Sequence, residues 1–288
     1  WTGRMEINPA DEGPQGFAGN DDALVAMVGK PMRIVTDQNE TVEAARGDYL
    51  LSNGRIRAES SQDAGLLLDS PRLGIITGRA MEIVQNDETG WIDGPGSLLA
   101  ATHNRGSADA SKDLAVQWQG RLNLKFLTDA PAGDSPSTLD QLQTRQLSGI
   151  TMAEFNGNVR VSHPQFRAAA QEFLRLNLVP VDNDDPQLRE IEAAGDVRLT
   201  SLSDKPEQQI ELLADALTLH FTEQAAGVKT TSPQPSHMFA SGHVHAARPG
   251  YALDAGELYT RFTPTGDGGE DFEVSQVKAQ ANVKVHAD

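Results

Sequence analysis

The sequence predicts an all-β chain of many short antiparallel strands, grouped in two similar modules, and three observations predict it. A Gly-polar-Val unit recurs along the second half, with apolar and polar residues alternating behind it. A second apolar segment follows each unit and alternates in the same way. Glycine and proline punctuate the chain at intervals of about 8 to 12 residues, the spacing of a meandering sheet.

The units are explicit in residues 150–288. Gly157-Asn158-Val159-Arg160-Val161, Gly195-Asp196-Val197-Arg198-Leu199 and Gly242-His243-Val244-His245-Ala246 share one pattern, and Ala281-Asn282-Val283-Lys284-Val285 repeats it without the glycine. Val159 and Val161, Val197 and Leu199, and Val283 and Val285 alternate with Arg160, Arg198 and Lys284, the period of two expected of a strand with one buried face. The following segments are Ala170 to Leu178, Ala214 to Phe221 and Ala252 to Phe262. Locally they fit either a strand or a helix: Phe166, Ala169, Ala170, Phe173 and Leu174 would share one helix face, and Pro206 to Leu217 has a helical composition. Alternation of Leu174, Leu176 and Leu178, and of Leu217, Leu219 and Phe221, decides for strands, with short helical turns expected near Pro186 to Ala194.

The first half carries a looser version. Asn53 to Ala58 keeps the alternation, Leu66 to Leu68 and Leu73 to Ile76 follow it, and Gly78-Arg79-Ala80-Met81-Glu82-Ile83 echoes Gly3-Arg4-Met5-Glu6-Ile7. That echo, with Trp rather than Met at residue 1, leads us to expect a piece of a longer chain. The polar stretch Thr128 to Gln146 places the expected boundary between modules 1–148 and 149–288. Residues 1–148 hold 13 basic and 21 acidic side chains, 149–288 hold 11 and 20, so neither module is a charged tail.

Composition narrows the function classes. The 288 residues carry a formal charge of −17, which a nucleic-acid backbone repels. No apolar run nears the roughly 18 residues of a membrane-crossing helix, so no transmembrane segment is expected. The absence of cysteine excludes disulfides, thiolate metal sites and cysteine nucleophiles.

These repeated units resemble the OstA-like family, the lipopolysaccharide-transport domain of the Gram-negative envelope. The matching residues are Gly157-Asn158-Val159 with Ala170 to Leu178, Gly195-Asp196-Val197 with Ala214 to Leu219, and Gly242-His243-Val244 with Leu253 to Leu258. The match is best over 150–288; Gly94-Pro95-Gly96 and Trp118-Gln119-Gly120-Arg121 have no counterpart in the family pattern. The resemblance implies an open β-jellyroll or twisted two-sheet trough in the periplasm, non-enzymatic and without cofactor. Its apolar interior would hold lipopolysaccharide or other acyl chains, and its edge strands would pair with related β domains. The inward-facing set nominated for lipid is Ile56, Ala58, Val159, Val161, Leu174, Leu176, Val197, Leu199, Leu217, Leu219, Val283 and Val285. Lipopolysaccharide is itself anionic, and Arg160, Arg167, Arg175, Arg198 and Lys284 could supply local positive charge, although the preferred reading of them is a solvated outer face. The rival reading is a structural or adhesin-like β module that binds no lipid.

Other chemistry is weakly signalled. His243 and His245 lie two apart with His237 nearby, but no spacing supplies a third ligand. Asp182-Asn183-Asp184-Asp185 lacks the later glycine and glutamate of a calcium loop. Gly266 to Gly269 lacks the lysine of a phosphate loop. Ser97 has no glycine beyond it to complete a nucleophile elbow. Trp91, Trp118 and Tyr259 are aromatic enough for a sugar platform, yet fit a core or trough wall better.

Overall fold

The computed structural model describes residues 4–9, 23–35, 40–50, 54–62, 65–70, 74–100, 114–128, 147–164, 166–181, 184–202, 209–222, 234–265 and 271–287. Among these, every regular element is a strand apart from one 3₁₀ turn at Gln85–Asp87. The strands are β1 (Arg4–Pro9), β2 (Ala23–Val35), β3 (Thr41–Leu50), β4 (Arg55–Glu59), β5 (Leu66–Ser70), β6 (Gly74–Gly78), β7 (Ala80–Val84), β8 (Thr89–Asp93), β9 (Gly96–Ala100), β10 (Ala115–Trp118) and β11 (Arg121–Thr128). They continue with β12 (Leu147–Asn156), β13 (Val159–His163), β14 (Phe166–Ala170), β15 (Phe173–Val181), β16 (Asp184–Ser201), β17 (Glu211–Phe221), β18 (Pro235–Arg248), β19 (Tyr251–Thr265), β20 (Asp271–Gln280) and β21 (Lys284–Ala287).

The chain divides into two compact units. One takes residues 1–105 and 121–150, the other 106–120 and 151–288. A single cut near residue 148 therefore misses one exchange: the stretch ending in β10 belongs with the second unit, where β10 pairs with β13. The expected boundary stretch itself lies, beyond Thr128, outside the described residues.

In the first unit the sheet forks at β3. Its second half, Arg46 to Leu50, pairs with β4, and the ladder continues through β7 and β8 to β11. The first half, Thr41 to Glu43, pairs with β5, and that branch continues through β6 to β9. The fork works because the chain bends where the branches part. Arg79, between β6 and β7, accepts from the Ser60 amide at 2.8 Å and donates its own amide to Asp93 at 2.9 Å. Gly94-Pro95, without counterpart in the family pattern, lies at the same level between β8 and β9.

The second unit repeats this design with longer strands. The N-terminal half of β16 pairs with β15 and its C-terminal half with β14; β19 pairs with β20 along one half and with β21 along the other. Each pass of the chain bends at one level, and the repeated sequence unit is that bend. Gly157 and Asn158, Gly195 and Asp196, Gly242 and His243, and Ala281 and Asn282 are all pairs at positive φ. Gly195 and Asp196 stand opposite the single residue Asp215, a bulge that turns the strand. Amides cross from bend to bend: Gly157 donates to Glu172, Asn158 to Gln171, and Gln171 to Gly195. The Gln119-Gly120 segment belongs to the same row, donating to Gly157 and Asn156. Glycine is required at position 195, where φ is +82° and a Cβ would lie 2.7 Å from the Glu172 amide nitrogen.

The helical turns expected near Pro186 to Ala194 are absent. Residues 184–201 form one strand, because both of its edges are paired, to β15 and to β17, and a register shift opposite Val179 to Val181 accommodates Pro186. The helical composition of 206–217 likewise yields to the β16 ladder, and Glu211–Phe221 is a strand.

Candidate functional site

The bends give the second unit one apolar face on both sides of the turn. Register places Phe155, Leu174, Ala193, Leu217, Ala240, Leu258 and Ala279 side by side across seven strands. One step farther from the bend run Ala153, Leu176, Ile191, Leu219, Met238, Thr260 and Val277. Beyond the bend, Val116, Val161, Ala168, Leu199, Leu212, Ala246, Leu253 and Val285 form the matching rung.

Burial along these rungs is graded. Next to the bend the side chains are small, Ala170, Ala193, Ala214, Ala240 and Ala255, and they are sealed together with Val197, Val244 and Leu258. Small residues let the two halves of the bent sheet approach closely, so nothing is left to fill there. One rung farther out Leu176, Ile191, Leu219 and Met238 are larger and only half-buried, while Ala153 and Thr260 on the same rung are buried. Toward the last strands the cover ends, with Val277 at 52 % and Val285 at 69 % exposure.

The nominated residues map onto this gradient. Val159, Val161, Leu174, Val197 and Leu217 are buried near the bend, and Leu176, Leu199 and Leu219 are half-buried beyond it. In the first unit Ala58 is buried on a rung with Gly47, Met81, Ile92 and Leu122, and Ile56 is half-buried on the next. Val283 and Val285 depart from the expectation of covered, inward residues. Val285 shares a rung with Leu253, but β21 pairs with β19 alone among the described strands, so no later strand covers it; Val283 is 45 % exposed. Sequence reasoning missed Met238, which precedes the Gly-polar-Val unit on β18, and Leu253, Leu258 and Val277, whose strands lack that unit; their own alternation was the available clue.

The opposite face is polar and internally matched. Arg175 lies between Glu154 at 2.6 Å and Glu192 at 3.2 Å, and Asn177 donates to Glu190 and Glu192 at 2.9 Å. Arg198 faces Glu211 at 3.8 Å. These cations are engaged with the protein's own carboxylates, while Arg160, Arg167 and Lys284 are exposed.

The histidines separate into pairs. His243 sits at the bend 2.9 Å from Asp215, whereas His245 and His286 grip the two oxygens of Asp254 at 2.6 and 3.1 Å. The hydrogen bond from His245 pulls the Asp254 carboxyl below its ordinary range. His237 stacks instead on His220, ring centroids 4.2 Å apart, and His220 reaches Glu190 at 3.0 Å. Burial, then His220 and Arg261, lower the proton affinity of His237. No group of three donors able to hold a metal occurs among the described residues.

The remaining sequence candidates are also dispersed. The Ser97 hydroxyl pairs with Thr77 at 2.8 Å. Trp91 lies beneath Arg121 in the first unit, while in the second Trp118 is buried against Phe155 and Tyr259 stands beside His237. Asp182, Asn183 and Gly266 to Gly269 lie outside the described residues. No helix among the described residues is long and apolar enough to cross a membrane. No protein-family model matches the chain, and no curated protein matches it.

Proposed function

We propose that this chain is a non-enzymatic carrier of acyl lipids in the Gram-negative cell envelope, working in the periplasm in lipopolysaccharide transport as OstA-like domains do. One observation carries the reading: on the rung of the apolar face that runs through Leu176, Ile191, Leu219 and Met238 these four side chains are only half-covered, although Ala153 and Thr260 on the same rung are buried. A scaffold that only had to fold gains nothing by leaving these side chains in water. Each methylene removed from water there contributes about 0.8 kcal/mol, so a chain of a dozen carbons gains on the order of 10 kcal/mol before the costs of ordering it. That sum is large enough to outweigh long-range repulsion between an anionic lipid and a protein of charge −17, which salt screens over about 10 Å.

Edge-to-edge association with related β domains belongs to the same reading. Among the described strands β20 and β21 pair with β19 only, and Val274, Val277, Val283 and Val285 expose apolar surface beside those edges. A partner strand there would both satisfy the edge and continue the apolar face.

Titration with an environment-sensitive fluorescent fatty acyl probe tests the carrier reading. A saturable rise in emission, reversed by unlabelled lipid and weakened by Leu219→Asp in a variant that keeps its far-ultraviolet β spectrum, is the expected result. A probe that stays silent with folded protein overturns it in favour of a purely structural module.

A further inference from the structure

Beyond the bend, the apolar face of the second unit ends on an exposed cation. Arg248 closes β18 two residues after Ala246, and Tyr251 opens β19 two residues before Leu253, so both continue the face that carries Ala246, Leu253 and Val285. The two are register partners, and the guanidinium carbon of Arg248 lies 5.0 Å from the centre of the Tyr251 ring. Tyr251 and Val285 are exposed, so the cation borders apolar surface that is in contact with water. Arg121 and Arg175 also lie over aromatic rings, but each is bound to a carboxylate, at 2.7 and 2.6 Å. Arg248 has no carboxylate partner among the described residues, although the chain holds 41 acidic side chains against 24 basic ones. An arginine steadied by a ring and left without a counter-charge keeps its fork of N–H donors available to an oxyanion.

We propose that Arg248 binds the oxyanion head of an acyl lipid, a carboxylate or a phosphate, while the hydrocarbon lies over Tyr251, Leu253 and Val285. The inference rests on the carrier reading and deepens it by assigning the head group its charge and its end of the face. A guanidinium meets either oxyanion with two parallel N–H donors, and the Tyr251 ring beneath it limits the orientations it must give up on binding. Arg248 also supplies local attraction where the net charge of −17 repels an anionic lipid. Arg160, Arg167 and Arg198 are not placed to do this, because they alternate with Val161, Ala168 and Leu199 and so project from the polar face, opposite the hydrocarbon.

Ionised dodecanoate, dodecyl phosphate and the neutral methyl dodecanoate, which share one tail length, test this when titrated into the full chain, into Arg248→Gln and into Arg167→Gln. The last variant removes the same charge from the polar face. The native chain should bind at least one of the two acids about fivefold more tightly than the ester, Arg248→Gln should lose that preference, and Arg167→Gln should keep it. In the ¹⁵N-labelled native chain the Arg248 Nε–H signal should shift with the preferred acid and not with the ester, which decides the matter if Arg248→Gln fails to fold. Equal affinity of the native chain for acids and ester, or the same loss of preference in both variants, would overturn the head-group contact and leave the carrier reading standing. Failure of all three probes to bind the native chain would overturn both.

Discussion

Asn158, Asp196 and His243 adopt φ values of 49°, 45° and 46°, each directly after a glycine at positive φ, and this pair of residues is what the repeated motif encodes. The motif was legible as a repeat, because glycine followed by a short polar residue recurs before valine. That it bends a continuous strand at Gly195 and Gly242 while it precedes a new strand at Gly157 was not, since a strand start and a bulge use the same glycine. Gly195→Ala should cost about 2 kcal/mol in urea unfolding, from the positive φ and from crowding against Glu172. Ala281 holds the equivalent position at φ 59° without glycine, so Ala281→Gly should be neutral or stabilise by up to about 0.5 kcal/mol. His237 gives a pH signature. Its proton affinity is lowered in the folded chain, so the unfolded chain takes up the proton first as pH falls through about 6.5, and the His237 contribution to stability is lost below that point. Unfolding free energies measured from pH 7.5 to 5 should fall less steeply in His237→Gln than in the native chain.

At the scale of the element, strand pairing decided every ambiguity that composition left. Leu174 and Leu217 suit a helix or a strand taken alone, but each finds register partners on both sides within the sheet, and Pro186 falls in a register shift that lets the strand run through it. Residue alternation located the apolar face correctly at Val159, Val197 and Leu217; it could not say where that face stops being covered, because cover depends on the number of strands beyond. Val283 and Val285 illustrate this, having the same pattern as Val159 and Val161 but standing 45 % and 69 % exposed where, among the described strands, β21 pairs with β19 alone. Among the described residues β21 is held by its pairing with β19 and by the Asp254 bridge between His245 and His286. Asp254→Asn should therefore raise amide hydrogen exchange in Lys284 to Ala287 at least several-fold, while the exchange of Ala193 and Leu217 in the core stays unchanged. Unchanged protection in β21 would mean that the backbone ladder alone holds it.

For the molecule as a whole, the all-β class and the division into two units were legible from the repeats and from the polar stretch after Thr128. The placement of β10 with the second unit was not, because nothing in Ala115 to Trp118 distinguishes an alternating strand of one unit from one of the other. Function was legible only as chemistry: a face of Val, Leu, Ile and Met, with the polar residues matched to one another on the opposite side. The central claim is that hydrocarbon occupies the half-covered rungs of that face. Photo-crosslinking with a diazirine-bearing fatty acid, followed by peptide mapping, tests it most directly. The account predicts adducts on Leu176, Ile191, Leu219 and Met238, removed by competing unlabelled lipid. Adducts confined to Phe239 and the other exposed side chains of the outer face, or undiminished by competitor, would contradict it.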